Sequence, residues 1–372
     1  MNSINKHIIF FFLIIFDISF LFSQSIDSII IDTNLTNTER IFKDSISRIN
    51  EQNMVFYNSR ESYNYGLELF NQQNFQKAIT HFTKSIVVDS NFFEAYFYRA
   101  KCYAALNDGL AILDYQTAFS IDSSNLSPLY NLAKFQATCG VVDEAINTYD
   151  FIISLNNKES IAYYEIGILL YLKKDIEGAI KSFTHSINLK KDARVFNDRG
   201  SCYRLLGNYE FAINDYITAI DLNSDLAFVY NNLASIYRKQ GDSIKALNYY
   251  SLAIKKDANY LLAYNNRGSL YIDLNDFDNA LYDINQAISI NDEYAPAYNN
   301  KALIYHQQKK YTEALSFFDK AILLNTTYAK AYFNRGITRQ MIRDEEGACN
   351  DWIKAKELGI SVVNKYLDND CD

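Results

Sequence analysis

From Ser59 onward, apolar and polar residues alternate in two helical registers separated by short polar turns. Within a unit of 34 residues, positions 4, 7, 8 and 11 share one face of a first helix. Positions 20, 24 and 27 share one face of a second. Nine such units begin at Ser59, Phe93, Leu126, Ser160, Ala193, Ala227, Leu261, Ala295 and Ala329; the units from Phe93 and Ser160 are one residue shorter. Position 8 is always Gly or Ala, from Gly66 through Gly200 and Ala234 to Gly336, and position 20 is Ala, from Ala78 to Ala348. Position 24 is bulky, from Phe82 through Phe183 to Trp352. Helices approach closely only where side chains are small, and the large residues then fill the space beside the notch. One helix pair cannot bury its own apolar face, so the pairs must stack.

The turn inside each unit reads GNY at 207–209, GDS at 241–243 and NDF at 275–277. The two prolines, Pro128 and Pro296, fall in the first turn of a first helix, where no hydrogen bond is lost. The stretch YNNRGSLY…ALYDI…A in 264–287 resembles the tetratricopeptide repeat (TPR) family, over 59–358. That resemblance implies an all-α, right-handed α-solenoid of about nine helix-turn-helix repeats with a C-terminal capping helix. The family's usual proline after the second helix is replaced by Ser90, Asn157, Lys191, Ser224, Ala258, Asp292 and Thr326. Helix-capping Asp, Asn and Ser are expected to make the turn there.

The ends differ from the repeats. Lys6, an apolar run from Ile8 to Phe22 and small residues at Ser23 and Ser25 have the layout of a secretory signal peptide over 1–23. An uncleaved membrane anchor is the other reading of this segment. Residues 24–58 read as a linker and an N-terminal helix, with Ile41, Phe42, Ile46 and Ile49 at helical spacing, packing on the first repeat or forming a stalk. In 359–372 a short helix from about Ser361 to Leu367 is expected to lay Val362, Val363 and Tyr366 over the last repeat. This tail is similar to that of secreted TPR proteins of Bacteroidetes-type bacteria, in which ACxDW precedes a terminal cysteine. The resemblance and the leader together imply an exported bacterial protein of the periplasm, cell envelope or exterior.

Of the five cysteines, Cys102 and Cys202 share position 10 and read as small core residues. Cys349 in the last repeat helix and Cys371 beyond the cap can pair in an oxidising compartment. The closed loop would contribute about 3 kcal/mol; a free thiol at Cys371 in exported material would exclude it.

Net charge is -8 over 372 residues, with mixed signs and no basic run, which speaks against nucleic-acid binding. Contact with a membrane is expected only through an uncleaved N-terminal segment, if at all, and the sequence sets no oligomeric state. His7, His81, His185 and His306 form no metal-ligand spacing, and no nucleotide-binding or nucleophile motif occurs. Asp and Glu read as solvated surface residues. No cofactor and no enzymatic activity are expected.

The polar residues that recur in register are asparagines. Position 6 holds Asn64, Asn131, Asp198, Asn232, Asn266, Asn300 and Asn334, interrupted by Tyr98 and Glu165; position 5 holds Asn197, Asn231, Asn265 and Asn299. In the family these positions face the concave groove. Stacking aligns the amides as a ladder, able to pair with the backbone of an extended peptide without reading its sequence. They can equally hydrogen-bond within the stack. The groove reading expects a protein or peptide ligand centred on this ladder, and expects replacement of Asn231, Asn232, Asn265, Asn266, Asn299 and Asn300 by Ala to leave helicity intact. The family's clamp for chaperone C-termini needs Lys at position 5, which no repeat supplies. A carbohydrate- or envelope-polymer-binding role is the alternative, through Tyr63, Phe70, Phe97, Tyr98, Tyr130, Tyr164 and Tyr171 in the more aromatic N-terminal half; those rings can also simply pack between repeats.

Overall fold

The computed structural model describes residues 37–371; the leader reading of 1–23 and the linker residues before Asn37 lie outside them. All regular structure among the described residues is helical. Two compact units divide after Leu132. The first contains α1 (Asn37–Asn71), α2 (Phe75–Val88), α3 (Phe93–Ala105), α4 (Leu110–Ile121) and the start of α5 (Ser127–Thr138). The second continues with α6 (Val142–Leu155), α7 (Ser160–Leu172), α8 (Ile176–Leu189), α9 (Ala193–Leu205), α10 (Tyr209–Leu222), α11 (Ala227–Lys239) and α12 (Ser243–Lys256). It ends with α13 (Leu261–Asp273), α14 (Phe277–Ile290), α15 (Ala295–Gln307), α16 (Tyr311–Leu324), α17 (Ala329–Met341), α18 (Glu345–Glu357) and α19 (Asn364–Asp370). The helix pairs follow the nine sequence units, as the all-α solenoid requires.

The notch at position 8 is built as the spacing implies. A Cβ on Gly167 would stand 2.5 Å from the Phe183 ring, and one on Gly336 2.5 Å from the Trp352 indole. In the second unit a continuous core runs through Phe183, Val195, Phe196, Tyr216, Val229, Leu233 and Ile236. Leu69, Ala78, Ile79, Phe82 and Cys102 form a core in the first.

Two kinds of turn set the repeat. Inside each unit, position 15 takes a left-handed backbone, yet only Gly140, Gly207 and Gly241 are glycines; Gln73, Asn107, Lys174, Asn275, Lys309 and Arg343 adopt it with side chains. Between units, the side chains of Asp89, Asp122, Asn156, Asn223, Asp257, Asn291 and Asn325 each accept the backbone N–H two residues on. The turn expected from the residues in the missing proline's place is thus made by the residue before it, whose short carbonyl arm reaches that N–H.

At the N-terminus the separate helix of 36–56 is instead the first part of α1, continuous with the first repeat helix. No Gly or Pro interrupts the chain before Gly66. Ile41, Phe42, Ile46 and Ile49 are exposed. At the other end the cap is a 3-10 turn, Ser361–Val363, leading into α19. Val363 is buried and Tyr366 lies on Trp352 at 4.9 Å between ring centroids, but Val362 points outward. Cys349 and Cys371 are joined by a disulfide that ties α18 to the end of α19. Cys102 and Cys202 are buried, and burial pushes both thiols up to about 12.

Candidate functional site

First helices of the second unit lie side by side, and their position-5 and position-6 amides meet. Asn232 Nδ2 donates to Asn197 Oδ1 (3.0 Å), Asn266 to Asn231 (3.0 Å), Asn300 to Asn265 (2.9 Å) and Asn334 to Asn299 (2.9 Å). Position 6 of one repeat therefore clasps position 5 of the repeat before it. Asn197, Asn231, Asn265 and Asn299 are buried by this contact, as is Asn300. Consequently, replacing the six central asparagines by Ala would not leave the stack untouched, since it would strip clasps between α9, α11, α13, α15 and α17.

Each clasp uses half of each amide. The Oδ1 atoms of Asn232, Asn266 and Asn334, and the Nδ2 atoms of Asn231 and Asn265, keep no partner among the described residues, and none is sealed from solvent. A spare donor and a spare acceptor thus stand together in two consecutive repeats, at Asn231–Asn232 and Asn265–Asn266, with a further acceptor at Asn334; in the repeat between, Asn299 Nδ2 donates to Asn300 Oδ1 (3.4 Å). Beside them, Ser201 and Ser235 bond the hydroxyls of Tyr216 (3.0 Å) and Tyr250 (3.2 Å). Arg238 reaches forward to Ser269 (3.0 Å) and Asp273 (2.5 Å), and His306 Nδ1 meets Thr338 Oγ1 at 2.9 Å.

The ladder begins on a carboxylate. Asp198 accepts from Tyr164 O–H on Oδ2 and from Asn197 Nδ2 on Oδ1, both at 2.9 Å. Burial pushes its pKa up, against the pull of these two hydrogen bonds and of Arg194.

The acidic residues are not all solvated, as the sequence reading had them. Arg199, Arg267 and Arg335, at position 7, each grip the aspartate at position 23 of their own repeat with Nε and Nη2: Asp215, Asp283 and Asp351, at 2.6–2.9 Å. The third nitrogen reaches position 25 of the preceding repeat, at Thr184, Ser251 and Asp319. Arg99, Asp114 and Thr83 repeat this brace in the first unit. Sequence reasoning overlooked it, although Arg at 7 with Asp at 23 recurs in register; charge alone suggested the surface, whereas the bidentate pairing makes burial tolerable.

The aromatic residues of the N-terminal half are largely packing elements. Tyr63, Phe70 and Tyr98 flank the first core, and the Lys101 ammonium lies 4.9–5.6 Å from the rings of Phe70, Phe97 and Tyr98. His81 and His185 pack on Tyr65 and Tyr163.

Known proteins share this repeat. Tetratricopeptide repeat models match residues 229–260, 261–294 and 295–328, and a TPR repeat model matches 200–241. The TPR repeat-containing protein MJ1428 of Methanocaldococcus jannaschii is 24% identical, over 45% of this chain and 37% of its own length. Tetratricopeptide repeat protein 6 of Homo sapiens is 30% identical, over 36% of this chain and 26% of its own. The match thus spans well under half the length of either relative. A tetratricopeptide repeat protein from Parabacteroides merdae superposes with a TM-score of 0.56 at 18% identity, covering 64% of this chain and 96% of that one. A chain of the APC/C hetero-tetramer Cut9-Hcn1 superposes with a TM-score of 0.56 at 14% identity, covering 84% and 76%. At these identities the likeness is one of fold.

Proposed function

We propose that this array of tetratricopeptide repeats is a non-catalytic interaction scaffold that holds an extended segment of a partner protein along the first-helix face of its second unit. The observation that carries this reading is the half-used amide ladder. Clasping the repeats requires one donor and one acceptor per pair, and the asparagines supply twice that. The spare atoms of Asn231, Asn232, Asn265 and Asn266 repeat at the 34-residue spacing in two consecutive repeats, with a further acceptor on Asn334, and none of them is sealed from solvent. A peptide backbone offers the complementary donors and acceptors at every residue, whatever its side chains.

Export is part of the same proposal. The leader-like 1–23 segment motivates it, and a disulfide between Cys349 and Cys371 is favoured in an oxidising compartment. The carbohydrate-binding alternative gains nothing from the aromatic cluster, because Lys101 and the repeat core occupy those rings.

Site-specific photo-crosslinking tests the scaffold reading. A benzophenone residue replaces Lys239 on the first-helix face in one variant and Tyr282, exposed on second helix α14, in another. Partner protein captured from Lys239 and absent from Tyr282 is the expected result. Capture from Tyr282 alone would move the site to the second helices.

A further inference from the structure

The buried aspartates among the described residues follow one rule, and a half-buried one departs from it. Asp114, Asp215, Asp283 and Asp351 each receive an arginine fork. Asp198 is half-buried, yet among the described residues no lysine or arginine lies within ion-pair distance of it. The neighbouring cation, Arg194, is engaged with Asp192 at 3.5 Å. Both oxygens of Asp198 accept only neutral donors, Tyr164 and Asn197.

Packing does not demand a carboxylate here. The next four repeats carry a neutral amide at this position: Asn232, Asn266, Asn300 and Asn334. Position 5 of the preceding repeat is Tyr164, whose hydroxyl donates toward Asp198, so the clasp runs in reverse. An asparagine carbonyl would accept that bond equally well. What distinguishes Asp198 is its outlook. It lines a cavity of about 330 Å³ together with Ile168, Tyr171 and Leu172 of α7, Phe183 of α8 and Ser201 of α9.

We propose that this cavity receives one cationic side chain, lysine or arginine, of the partner segment. The aliphatic stem lies against Ile168, Leu172 and Phe183, and the charged head meets Asp198 beside the Tyr171 ring. A half-buried carboxylate without a counter-ion gains from the arrival of a cation, and the apolar walls suit the stem of such a side chain. The proposal rests on the first-helix face being the partner's track. To amides that read only backbone it adds a side-chain preference at one point.

A random decapeptide library is passed over immobilised full-length chain, parent and Asp198→Asn in parallel. The parent retains peptides enriched in lysine or arginine at one position. Asp198→Asn still retains peptides, without that enrichment, and binds a selected cationic peptide at least tenfold more weakly. It melts slightly lower than the parent, because Tyr164 keeps its acceptor while Asn197 Nδ2 loses one to the new NH₂, so binding is compared at a temperature where both are folded. Should Asp198→Asn misfold, Leu172→Arg, at an exposed wall of the cavity, gives the same readout by supplying a competing cation. Retained peptides without cationic enrichment, or enrichment that survives both substitutions, overturn the pocket and leave the track standing. Retention of no peptide by the parent overturns both.

Discussion

An amide that clasps a neighbour supplies either the donor or the acceptor of the clasp, and single substitutions measure what each end contributes to the stack. Asn265→Ala removes the acceptor of Asn300, whose donor is then left in a residue only 8% exposed. The expected cost is about 1–3 kcal/mol. Asn232→Ala removes a half-buried donor and is expected to cost about 1 kcal/mol; urea midpoints of the two variants check the order. Strain at position 15 works in the opposite direction. Lys174 and Lys309 hold φ of 67° and 61°, so Lys174→Gly or Lys309→Gly is expected to stabilise by about 0.5–1 kcal/mol, the relief of the left-handed conformation less glycine's entropy. The same denaturation series measures it. His306 adds a pH dependence. The Thr338 hydroxyl proton is given to the Asn334 carbonyl, so His306 Nδ1 must donate to Thr338 Oγ1. Burial lowers the imidazole pKa below its usual 6.5. As pH falls through 6.5 the unfolded chain takes up a proton that the folded chain does not, and stability is lost. His306→Gln should flatten that part of the stability–pH curve.

At the scale of helices, the arginine braces and the cap decide integrity. Asp283→Ala leaves the Arg267 guanidinium without its carboxylate between α12, α13 and α14, and about 3–5 kcal/mol is expected to be lost. Adding Arg267→Met should recover much of this, because an apolar pair needs no desolvated charge; a double-mutant cycle measures the recovery. The cap is read optically. Trp352 is the chain's single tryptophan, fully buried beneath Tyr366 and Val363. Reducing Cys349–Cys371, or Cys371→Ser, is expected to let α19 fray and shift Trp352 emission to the red at denaturant concentrations where the parent is unchanged. An unshifted emission would mean that apolar contact alone holds the cap.

For the molecule as a whole, the periodicity carried what depends on volume: helix pairs, glycine and alanine notches, and the bulky residue opposite each. These follow from sterics that repeat every 34 residues and so accumulate across nine copies. What it did not carry depends on the direction of hydrogen bonds. Nothing in Asn-Asn says that one amide will bury its carbonyl beneath the next repeat's NH₂. Nor does a charged residue declare itself buried until its partner, sixteen positions away in Arg267 and Asp283, is seen to face it. In the sequence Asp198 read as one more member of the position-6 series; only its place in the lining of a cavity sets it apart. Hydrogen–deuterium exchange of the full chain, free and bound to a captured partner, tests the central claim most directly. The account predicts slowed exchange in α9, α11, α13 and α15, and little change in α10, α12, α14 and α16. Protection confined to those second helices, or to the unit before Leu132, would contradict it.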